Sequence, residues 1–417
     1  MDDSAARILA RLPESSIRLG LDRIQAACDA LGRPQGAFGT VHVAGTNGKG
    51  STCAFLDSAL REAGKRVGFF SSPHLRTFHE RIRIDGEPIS DEALEASMRR
   101  LWDAGPFVRD PSHPSALTYF EAATALAFDA FAHAGVELAV VEVGLGGRLD
   151  ATNVEGKELR AAAVSRVAVD HVAFLGEDLA EIAREKGAIA RPGRPLVLGV
   201  QEPTAREAIA RQAAEIGANL LDVEAEATLE RTAGELVYRG PRWELSGLRL
   251  GLLGPHQVEN ARLALAVLEL LGIPEEAARE GLARARWPGR LQMVSEDPLV
   301  VLDGAHNPDG ARALARAWRE LWADRRPHLV FGVMSDKDRG PMLEALLPLA
   351  ETVHLCAPSS GRSVPASEIA PPGEGVEVHE SVEAALRRAL RLAGREGAVL
   401  VCGSLYLVGE ALGVLEA

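Results

Sequence analysis

Residues 45 to 52 (GTNGKGST) combine glycines, a lysine and hydroxyl side chains in one short segment. Glycines let backbone N–H groups converge on phosphate oxygens, because no Cβ stands in the way. Lys49 adds a mobile cation, and the hydroxyl of Ser51 or Thr52 can ligate a magnesium ion. The usual phosphate-loop pattern places the hydroxyl directly after the lysine, whereas Gly50 intervenes here. The segment therefore predicts a nucleotide-phosphate site of unusual form; the alternative is a strand-turn-helix whose glycines serve tight packing.

Two further candidate ligand-binding residues are polar side chains at the ends of apolar runs. Ser72 stands in SSPHL, and Glu142 stands in VEVGLGGRLDATN. Because open α/β sheets bind ligands at the carboxyl ends of their strands, Glu142 is a candidate magnesium ligand and Ser72 a candidate metal or substrate contact. The alternatives are an acid at a strand end and a turn before a proline. The glycines after Glu142 predict a turn that exposes Arg148 and Asp150.

A third group lies in AVDHVAFLGEDLAEIAREKGAIARPG. Asp170 and His171 follow an apolar run, and Lys186 comes near the end of the next helical stretch. A single histidine is more often structural than functional, and a single lysine on a helix usually has a solvated head group. Position alone therefore assigns these three residues no function.

The composition of the whole chain is that of a globular protein and argues against several partners. Its 417 residues predict two or three domains, and 47% hydrophobic and 25% charged residues are ordinary values. A net charge of −13 argues against a nucleic-acid surface. No apolar run approaches the ~18 residues of a membrane span, and the start MDDSAARILARL does not have the pattern of a secretory signal.

Cysteine spacing and helix patterning bear on location and assembly. The four cysteines are scattered without a C-x-x-C pair, which fits reduced thiols in a cytoplasm better than disulfides or a zinc framework. No heptad pattern or long amphipathic helix indicates an interface, so we expect a cytoplasmic monomer. The cysteines are Cys28, Cys53, Cys356 and Cys402.

Apolar runs alternate with helical patterns over the first half of the chain, which predicts a mostly parallel sheet with helices on both faces. Residues 227 to 253 alternate apolar and polar side chains between turn residues, and they predict a small antiparallel element. The predicted strands are 40–44, VGFFSS, 137–144, 161–169 and 195–200. The predicted helices are 51–65, 119–134, 178–190 and 204–216.

A domain boundary is predicted in WPGRLQMVSEDP, residues 287 to 298, which holds two prolines and a glycine. A second alternating series begins after it with LVVLDGAHNP and ends with AVLVCGSLYLVG. The expected fold is therefore α/β, with a nucleotide-binding domain over residues 1–290 and a smaller Rossmann-like domain over residues 291–417.

Eleven motifs occur in a fixed order between residues 19 and 338. They are LGLDRI, GTNGKGS, SSPHL, LTYFE, VEVGLGGRLDATN, DHVAFLG, REKGAIARPG, HQVENA, WPGRLQ, DGAHNP and MSDKD. In these motifs the chain resembles the folylpolyglutamate synthase and dihydrofolate synthase family, within the Mur-type ATP-dependent amide ligases. The resemblance also accounts for the loop, because G-T-N-G-K-G-[ST] is this group's own form of it.

The resemblance implies roles for many positions, with ATP and two magnesium ions bound. The residues that it implies as nucleotide contacts are Asn47, Gly48, Lys49, Gly50, Ser51, Thr52, Asn260, Arg290, Asp303 and His306. The residues that it implies as contacts of the pterin or pteroate substrate are Arg18, Leu19, Gly20, Leu21, Thr118, Tyr119, Phe120, Glu121, Leu149, Asp150 and Ala151. As metal ligands it implies Ser51, Ser72 and Glu142 for one magnesium ion, and His171 and a carbamylated Lys186 for the other. Lys49, Lys186 and His306 are the implied catalytic residues.

The implied reaction joins glutamate to a carboxylic acid. ATP phosphorylates the acid to an acyl phosphate, the glutamate amine attacks it, and phosphate leaves. Family members either add the first glutamate to dihydropteroate and then extend tetrahydrofolate, or only extend; LTYFE and Asp150 favour the bifunctional type. Arg18 departs from it, because bifunctional relatives often carry an acid at that position.

Three other classes share the phosphate loop. A peptidoglycan-type Mur ligase usually has a nucleotide-sugar domain before the loop, and only 44 residues precede Gly45. A small-molecule kinase or GTPase would not need the second α/β domain, and no N-K-x-D motif is present. A non-enzymatic nucleotide switch would not need Glu142, His171 and Lys186 together.

Overall fold

The first 290 residues build two sheets, and the residues from 291 onward build a third; we call these the N-terminal and C-terminal regions. The computed structural model describes residues 4–12, 18–156, 158–232, 234–371 and 373–416. Within these ranges no helix combines the length and apolar character needed to cross a membrane.

The large sheet of the N-terminal region has eight strands in the order β4-β3-β2-β5-β1-β6-β7-β8. They are β1 (Gly39–Ala44), β2 (Val67–Phe70), β3 (Ile82–Ile84), β4 (Glu87–Pro88), β5 (Leu138–Glu142), β6 (Glu158–Val164), β7 (Pro195–Leu198) and β8 (Asn219–Asp222). Strands β2, β5, β1, β6, β7 and β8 pair in parallel with their neighbours in this order. At the other end of the sheet, β3 pairs antiparallel with β2, and the edge strand β4 pairs antiparallel with β3. All residues of β1 are buried, as expected for a central strand covered on both faces.

Helices cover both faces of this sheet, as the alternating pattern predicts. Those of the N-terminal region are α1 (Ala5–Ala10), α2 (Asp22–Ala30), α3 (Lys49–Glu62), α4 (Asp91–Ala104), α5 (Tyr119–His133), α6 (Val172–Leu175), α7 (Leu179–Gly187), α8 (Pro203–Ile216), α9 (Val223–Glu226), α10 (His256–Leu270) and α11 (Glu275–Arg284). Val41 and Val140 pack with α3, α10 and α11 on one face, while Phe70 and Val141 pack with α4 and α5 on the other. Short 3-10 turns lie at Pro34–Gly36, Phe78–Arg81 and Ala151–Asn153.

The antiparallel element predicted for residues 227 to 253 is present. It consists of β9 (Thr228–Thr232), β10 (Glu235–Arg239) and β11 (Glu244–Leu248), in the order β11-β10-β9. Its apolar side chains, including Leu229 and Tyr238, join the core beneath α10.

The C-terminal region is a six-stranded sheet in the order β12-β13-β17-β14-β15-β16. Its strands are β12 (Gln292–Glu296), β13 (Leu299–Asp303), β14 (Pro327–Phe331), β15 (Thr352–Leu355), β16 (Val376–Val378) and β17 (Ala398–Cys402). Its helices are α12 (Pro308–Leu321), α13 (Arg339–Leu346), α14 (Ala366–Ile369), α15 (Val382–Ala393) and α16 (Leu405–Glu416), with a 3-10 turn at Leu347–Leu349. The sheet is parallel except for β12, which pairs antiparallel with β13.

Two predicted segments differ from the structure. The strand predicted for residues 161–169 already ends at Val164, because the Ser165 hydroxyl turns toward the phosphate loop and bonds the carbonyls of Ala44 and Asn47. The segment of the predicted boundary, residues 287–298, contains strand β12, which the sequence pattern did not predict. Its prolines lie outside the strand, so they do not interrupt the pairing with β13.

Candidate functional site

A cavity of about 750 Å³ lies between the N-terminal and C-terminal regions. It brings together most of the residues that the sequence singled out, although they are far apart along the chain. The predicted residues that line it are Arg18, Leu19, Gly20, Asn47, Gly48, Lys49, Gly50, Ser51, Ser72, Thr118, Tyr119, Phe120, Glu121, Glu142, Leu149, Asp150, Ala151, His171, Asn260, Arg290, Asp303 and His306.

Leu21, Thr52 and Lys186 are the predicted site residues that do not line the cavity. Leu21 directly precedes α2 and packs against the apolar cluster around α2 and α5, so contact of its side chain with a substrate is not supported. Thr52 is fully buried in α3, and its Oγ1 has no hydrogen-bond partner among the described residues. Lys186 is buried behind the phosphate loop, as described below.

The glycines of the phosphate loop make room for neighbouring side chains. Gly48 precedes α3 with φ 88°, and a Cβ there would lie 2.2 Å from Asn260 Oδ1. Gly50 stands in the first turn of α3, where a Cβ would lie 2.6 Å from Nε1 of Trp287. The Trp287 ring is itself held by stacking on Phe69 at 5.1 Å. The additional glycine of the unusual loop therefore accommodates an indole packed against the start of α3.

Lys49 and Ser51 point into the cavity from the first turn of α3. Lys49 Nζ donates to the carbonyl of Thr46 at 3.2 Å, so the ammonium lies over the loop. Ser51 Oγ accepts a bond of 3.3 Å from Gln257 Nε2, which fixes its orientation. Together with the free N–H groups of the helix start, this arrangement suits the charge of a phosphate group.

Glu142 lies at the carboxyl end of β5, where the sequence predicted a metal ligand. Its side chain is buried, and its Oε2 accepts a bond of 3.3 Å from the backbone N–H of Ser72. Burial raises the pKa of Glu142, and the nearby charge of Lys49 opposes that shift. A divalent cation at this position would compensate the buried carboxylate charge, so Glu142, Ser72 and Ser51 fit a magnesium ion.

Two neutral imidazoles, His171 and His306, face the same part of the cavity. Burial and the charge of Lys337 lower the pKa of each to about 4. His171 has a left-handed backbone with φ 52°, and it lines the cavity directly before α6. His306 Nδ1 lies 2.8 Å from the carbonyl of Gly304 and can only donate to it, so Nε2 of the neutral ring keeps its lone pair.

Lys186 lies at the end of α7 but is not solvated, contrary to what its helical position suggests. Only 4% of the residue is exposed, and Nζ donates to the carbonyl of Gly45 at 3.1 Å. Burial, together with the charge of Lys49, lowers the pKa of Lys186 to about 7. A substantial fraction of the amine is therefore unprotonated at neutral pH, which is what reaction with carbon dioxide requires.

A polar network joins the two regions across the cavity. Asn307 Nδ2 donates to Asn47 Oδ1 at 3.0 Å and to Asp170 Oδ2 at 2.9 Å. Asn47 Nδ2 donates in return to Asp309 Oδ2 at 2.9 Å, and Arg166 binds both oxygens of the same carboxylate. The phosphate loop is thus held directly by the N-terminal turn of α12.

The sequence singled out Asn47 and Asp170 of this network and missed Asn307, Asp309 and Arg166. It also missed Lys337, which donates to Asp170 Oδ1 at 2.6 Å. Asn307 lies within DGAHNP and Lys337 within MSDKD, so the motifs marked the segments but not these side chains. Arg166 and Asp309 stand beside motifs without belonging to them. The sequence did offer one indication: DGAHNP follows a predicted strand, and ligands bind at the carboxyl ends of such strands, where the next helix begins.

On the side of the cavity formed by the C-terminal region, Asp303 lies at the end of β13. Its Oδ2 accepts from the backbone N–H of Leu291, and its Oδ1 accepts from the backbone N–H of Ala305, both at 2.8 Å. The carboxylate therefore ties the segment that carries Arg290 to the turn that carries His306.

The predicted acid-binding pocket is aromatic with a few fixed polar groups. The Arg81 guanidinium lies 5.1 Å from the centre of the Tyr119 ring, and Phe78 meets that ring edge-on. Thr118 and Glu121 form a capping box at the start of α5, and Glu121 also pairs with Arg23 at 2.8 Å. Their polar atoms hold the pocket wall in place.

The turn after Glu142 corrects one expectation. Arg148 is exposed, as predicted, and pairs with Glu185 at 2.8 Å. Asp150 is buried instead, because its carboxylate accepts the backbone N–H groups of Leu145 and Thr152 and thereby closes the turn. The backbone of the glycine-rich segment is thus hydrogen-bonded to the side chain of Asp150.

The fold and cavity define a class: a phosphate-loop α/β region faced by a second α/β region across one cleft. Family profiles agree, since the Mur ligase middle domain matches residues 43–268 and the Mur ligase glutamate ligase domain matches residues 289–405. A probable bifunctional folylpolyglutamate synthase/dihydropteroate synthase of Haloferax volcanii is 38% identical over 98% of this chain. The alignment covers 50% of that relative, so the chain spans about half of its length.

Two solved structures match over almost the whole of both chains. Escherichia coli FolC in complex with DHPP and ADP has a TM-score of 0.90 and 34% identity, covering 100% of this chain and 98% of that one. The bifunctional folylpolyglutamate synthase/dihydrofolate synthase of Yersinia pestis with AMPPNP and a Mn ion has a TM-score of 0.89 and 34% identity, covering 100% and 99%. The chain belongs to the Mur ligase family, in the group of folylpolyglutamate and dihydrofolate synthases.

Proposed function

We propose that this protein is an ATP-dependent ligase that adds L-glutamate to a pteroate or folate acid through an acyl phosphate. The observation that carries the proposal is the shared cavity: Lys49 and Glu142 open onto the same space as the aromatic pocket of Tyr119. A phosphate site beside a pocket that suits a flat aromatic acid would bring a phosphoryl donor next to a carboxylate. The E. coli relative's ligands, DHPP and ADP, support the same pairing.

The chemistry that these residues serve is activation of a carboxylate. A carboxylate does not react with an amine at pH 7, because its oxygen is a poor leaving group. The carboxylate oxygen attacks the γ-phosphorus of ATP, ADP leaves, and an acyl phosphate is formed. The neutral glutamate amine then attacks the carbonyl carbon, phosphate departs with the electron pair of the broken C–O bond, and the nitrogen loses one proton to give the amide. Lys49 would neutralise charge on the phosphoryl oxygens, and closure of the two regions would exclude water.

Two magnesium ions fit this site. Ser51, Ser72 and Glu142 would hold one ion, and His171 with a carbamylated Lys186 would hold the other. Bound there, the ions supply charge neutralisation to the phosphate oxygens. Support comes from the buried carboxylate of Glu142 and the neutral ring of His171, and the Mn ion with AMPPNP in the Yersinia relative is consistent with it.

The carbamate proposed at Lys186 follows from its burial. The lone pair of the neutral amine attacks the carbon of carbon dioxide, and loss of one proton leaves an anionic group with two oxygen atoms. A cation in this buried place would otherwise repel both Lys49 and the metal ions. Lys186 lies behind Gly45, so the longer carbamate would extend its ligand atoms toward the site.

His306 suits a hydrogen-bond donor as its partner. Its Nδ1 faces the Gly304 carbonyl and its pKa is lowered to about 4. A neutral ring with a lone pair at Nε2 accepts a hydrogen bond, and it gives none to an anionic oxygen. We therefore assign His306 to a donor such as a hydroxyl or the attacking amine.

Several finer assignments belong to the same proposal. We divide the chain into an ATP-binding domain of residues 1–290 and a glutamate-ligase domain of residues 291–417. The four buried free cysteines support a cytoplasmic location. We expect a monomer that binds small molecules and no nucleic acid, since the net charge is −13. Light scattering of the purified chain at several concentrations tests the assembly state.

We favour the bifunctional enzyme, in which dihydropteroate and tetrahydrofolate both serve as acceptors. The test is glutamate-dependent phosphate release from ATP with each acceptor separately. Release with both supports bifunctionality, and release with tetrahydrofolate alone supports the extending enzyme, with Arg18→Asp as the variant that should then restore dihydropteroate use. Release with neither acceptor, while ATP still binds, would reject the folate assignment. Lys49→Ala is the control that must abolish release in every case.

A further inference from the structure

Two histidines and a glutamate meet on the C-terminal sheet, and none of them lines the cavity described above. His354 lies on β15, and Glu377 lies directly beside it on the edge strand β16, since the two are register partners. His379 follows β16, and its backbone N–H bonds the carbonyl of Leu355. Because residues 377 and 379 alternate with 378, both side chains project from the same face as His354.

The ligand atoms of these three side chains form a compact triangle. His354 Nδ1 lies 3.0 Å from His379 Nε2. Glu377 Oε2 lies 3.9 Å from the first nitrogen and 3.8 Å from the second. A tetrahedral zinc ion with bonds of about 2.0–2.1 Å has ligand atoms about 3.3 Å apart. One of the three distances between ligand atoms is shorter than this value and two are longer. Small rotations of the side chains therefore bring all three atoms within bonding distance of one ion.

Hydrogen bonds behind the triangle fix the tautomer of His354. His328 bonds the backbone carbonyl of Leu392 through one ring nitrogen, which must carry the proton. Its Nδ1 then accepts from the Thr352 hydroxyl, 2.7 Å away. Thr352 Oγ1 in turn accepts from His354 Nε2 at 2.9 Å. In a neutral ring this leaves a lone pair on Nδ1, the atom that faces His379.

This arrangement is the one that metal-binding histidines use. Their second nitrogen donates to a protein oxygen, which orients the ring and fixes the coordinating lone pair. Glu377 is oriented in a similar way, because Arg388 binds both of its oxygens at 3.0 to 3.3 Å.

The side of the triangle that faces solvent remains open. The side chain of His354 is fully buried, while those of His379 and Glu377 are 12% and 37% exposed. An ion can therefore enter from solvent and keep water as its fourth ligand. The four cysteines do not compete for it, since all are buried.

We propose that His354, Glu377 and His379 form a binding site for a divalent transition-metal ion of the zinc type, separate from the magnesium sites of the cavity. Two imidazoles and one carboxylate select such an ion over magnesium, which prefers oxygen ligands. The bound ion links β15 to the edge strand β16. Its position on that strand assigns it a stabilising role in the C-terminal region, and none in the phosphoryl chemistry.

The test is calorimetric titration of the full chain with zinc chloride in excess magnesium, which occupies the oxygen-rich sites of the cavity. The His171→Ala background removes the remaining imidazole proposed as a metal ligand in the cavity. We expect one zinc ion per chain in that background, with a rise in the melting temperature. His379→Gln and Glu377→Gln should each weaken zinc binding at least about tenfold, the loss that removal of a ligand-shell partner typically brings.

His133→Gln is the matched control, because His133 is 54% exposed and pairs with an aspartate outside the triangle; it should bind zinc as the parent does. Cobalt chloride gives a second readout that does not depend on folding of the variants, since a four-coordinate site colours the intact protein far more strongly than a six-coordinate one. No zinc bound in the His171→Ala background, or unchanged affinity in His379→Gln, overturns the proposal. So does a weak six-coordinate cobalt spectrum.

Discussion

Lys337 Nζ lies 2.6 Å from Asp170 Oδ1, and this pair bridges the N-terminal and C-terminal regions. Both side chains are buried, with 7% and 8% exposed. Burial alone would raise the pKa of Asp170, but the charge of Lys337 holds it well below its usual range. The ion pair therefore couples the relative position of the two regions to the charge state of the cavity.

Replacing Lys337 by methionine should destabilise the protein markedly. The change leaves Asp170 buried without its cation, and breaking a buried pair from one side costs about 3–5 kcal/mol. Asp170→Asn in the same chain should recover part of that loss, because it removes the uncompensated charge. Urea unfolding at pH 7 of the parent, both single variants and the double variant measures the coupling.

The pH dependence of the same variants follows from the direction of the pKa shift. A carboxylate whose pKa is lowered by folding contributes stability above its unfolded pKa of about 3.9 and loses it as pH falls. The difference between parent and Lys337→Met should therefore shrink below about pH 4. Arg239→Met is the control, since Arg239 and Glu244 form an exposed pair worth at most ~1 kcal/mol. Equal effects of Lys337→Met and Arg239→Met would contradict the bridging role.

The strands of the fold were predictable because burial on both faces leaves apolar runs in the sequence. The runs at 137–144 and 195–200 became β5 and β7 with small changes at their ends. The edge strands β12 and β16 were not predicted, because half-buried strands such as QMVSE carry mixed side chains. Ser165 ended β6 early through side-chain bonds to a distant loop, which no local pattern reveals.

The site was predictable at the level of motifs and less so at the level of side chains. Glycine, lysine and hydroxyl spacing in the phosphate loop carries its own physical meaning, so residues 45–52 could be interpreted directly. The burial of Lys186 could not, because it depends on packing of α7 behind the loop. The same holds for Lys337, whose partner Asp170 is 167 residues away along the chain.

Gly48→Ala should abolish tight nucleotide binding. The added Cβ would lie 2.2 Å from Asn260 Oδ1 on a backbone with φ 88°, so the loop must shift. A misplacement of about 1 Å at a catalytic loop can cost about 100-fold in rate, so we expect kcat/KM for ATP to fall by that order as well. Gly64→Ala is a matched control, because Gly64 also has a positive φ of 74° but open space around it. Fluorescent-nucleotide titration of both variants separates the two effects, and equal affinities would exclude the steric argument.

Lys186→Ala should lose most of the ligase activity while the fold is retained. The variant lacks the nitrogen that would carry the carbamate, and loss of such a ligand is expected to reduce kcat about 100-fold or more. Removing an amine that burial already keeps partly neutral leaves no unpaired charge behind, so the far-ultraviolet circular dichroism should stay unchanged. Lys65→Ala, at an exposed lysine, controls for loss of a positive charge. Near-normal turnover in Lys186→Ala would reject its role as a metal ligand.

Carbamylation of Lys186 should depend on pH in a way that distinguishes it from other lysines. Only the unprotonated amine reacts with carbon dioxide, and the pKa of Lys186 is lowered to about 7. At a fixed concentration of dissolved ¹³C-labelled carbon dioxide, the carbamate signal in ¹³C NMR should rise as pH increases through about 7. It should level off only when the amine is fully carbamylated, because each carbamate formed also releases a proton. An ordinary lysine, with a pKa of about 10.4, would gain such a signal only at much higher pH. Lys186→Met should remove the signal that appears near pH 7, and a signal that persists in this variant would assign the carbamate to another amine.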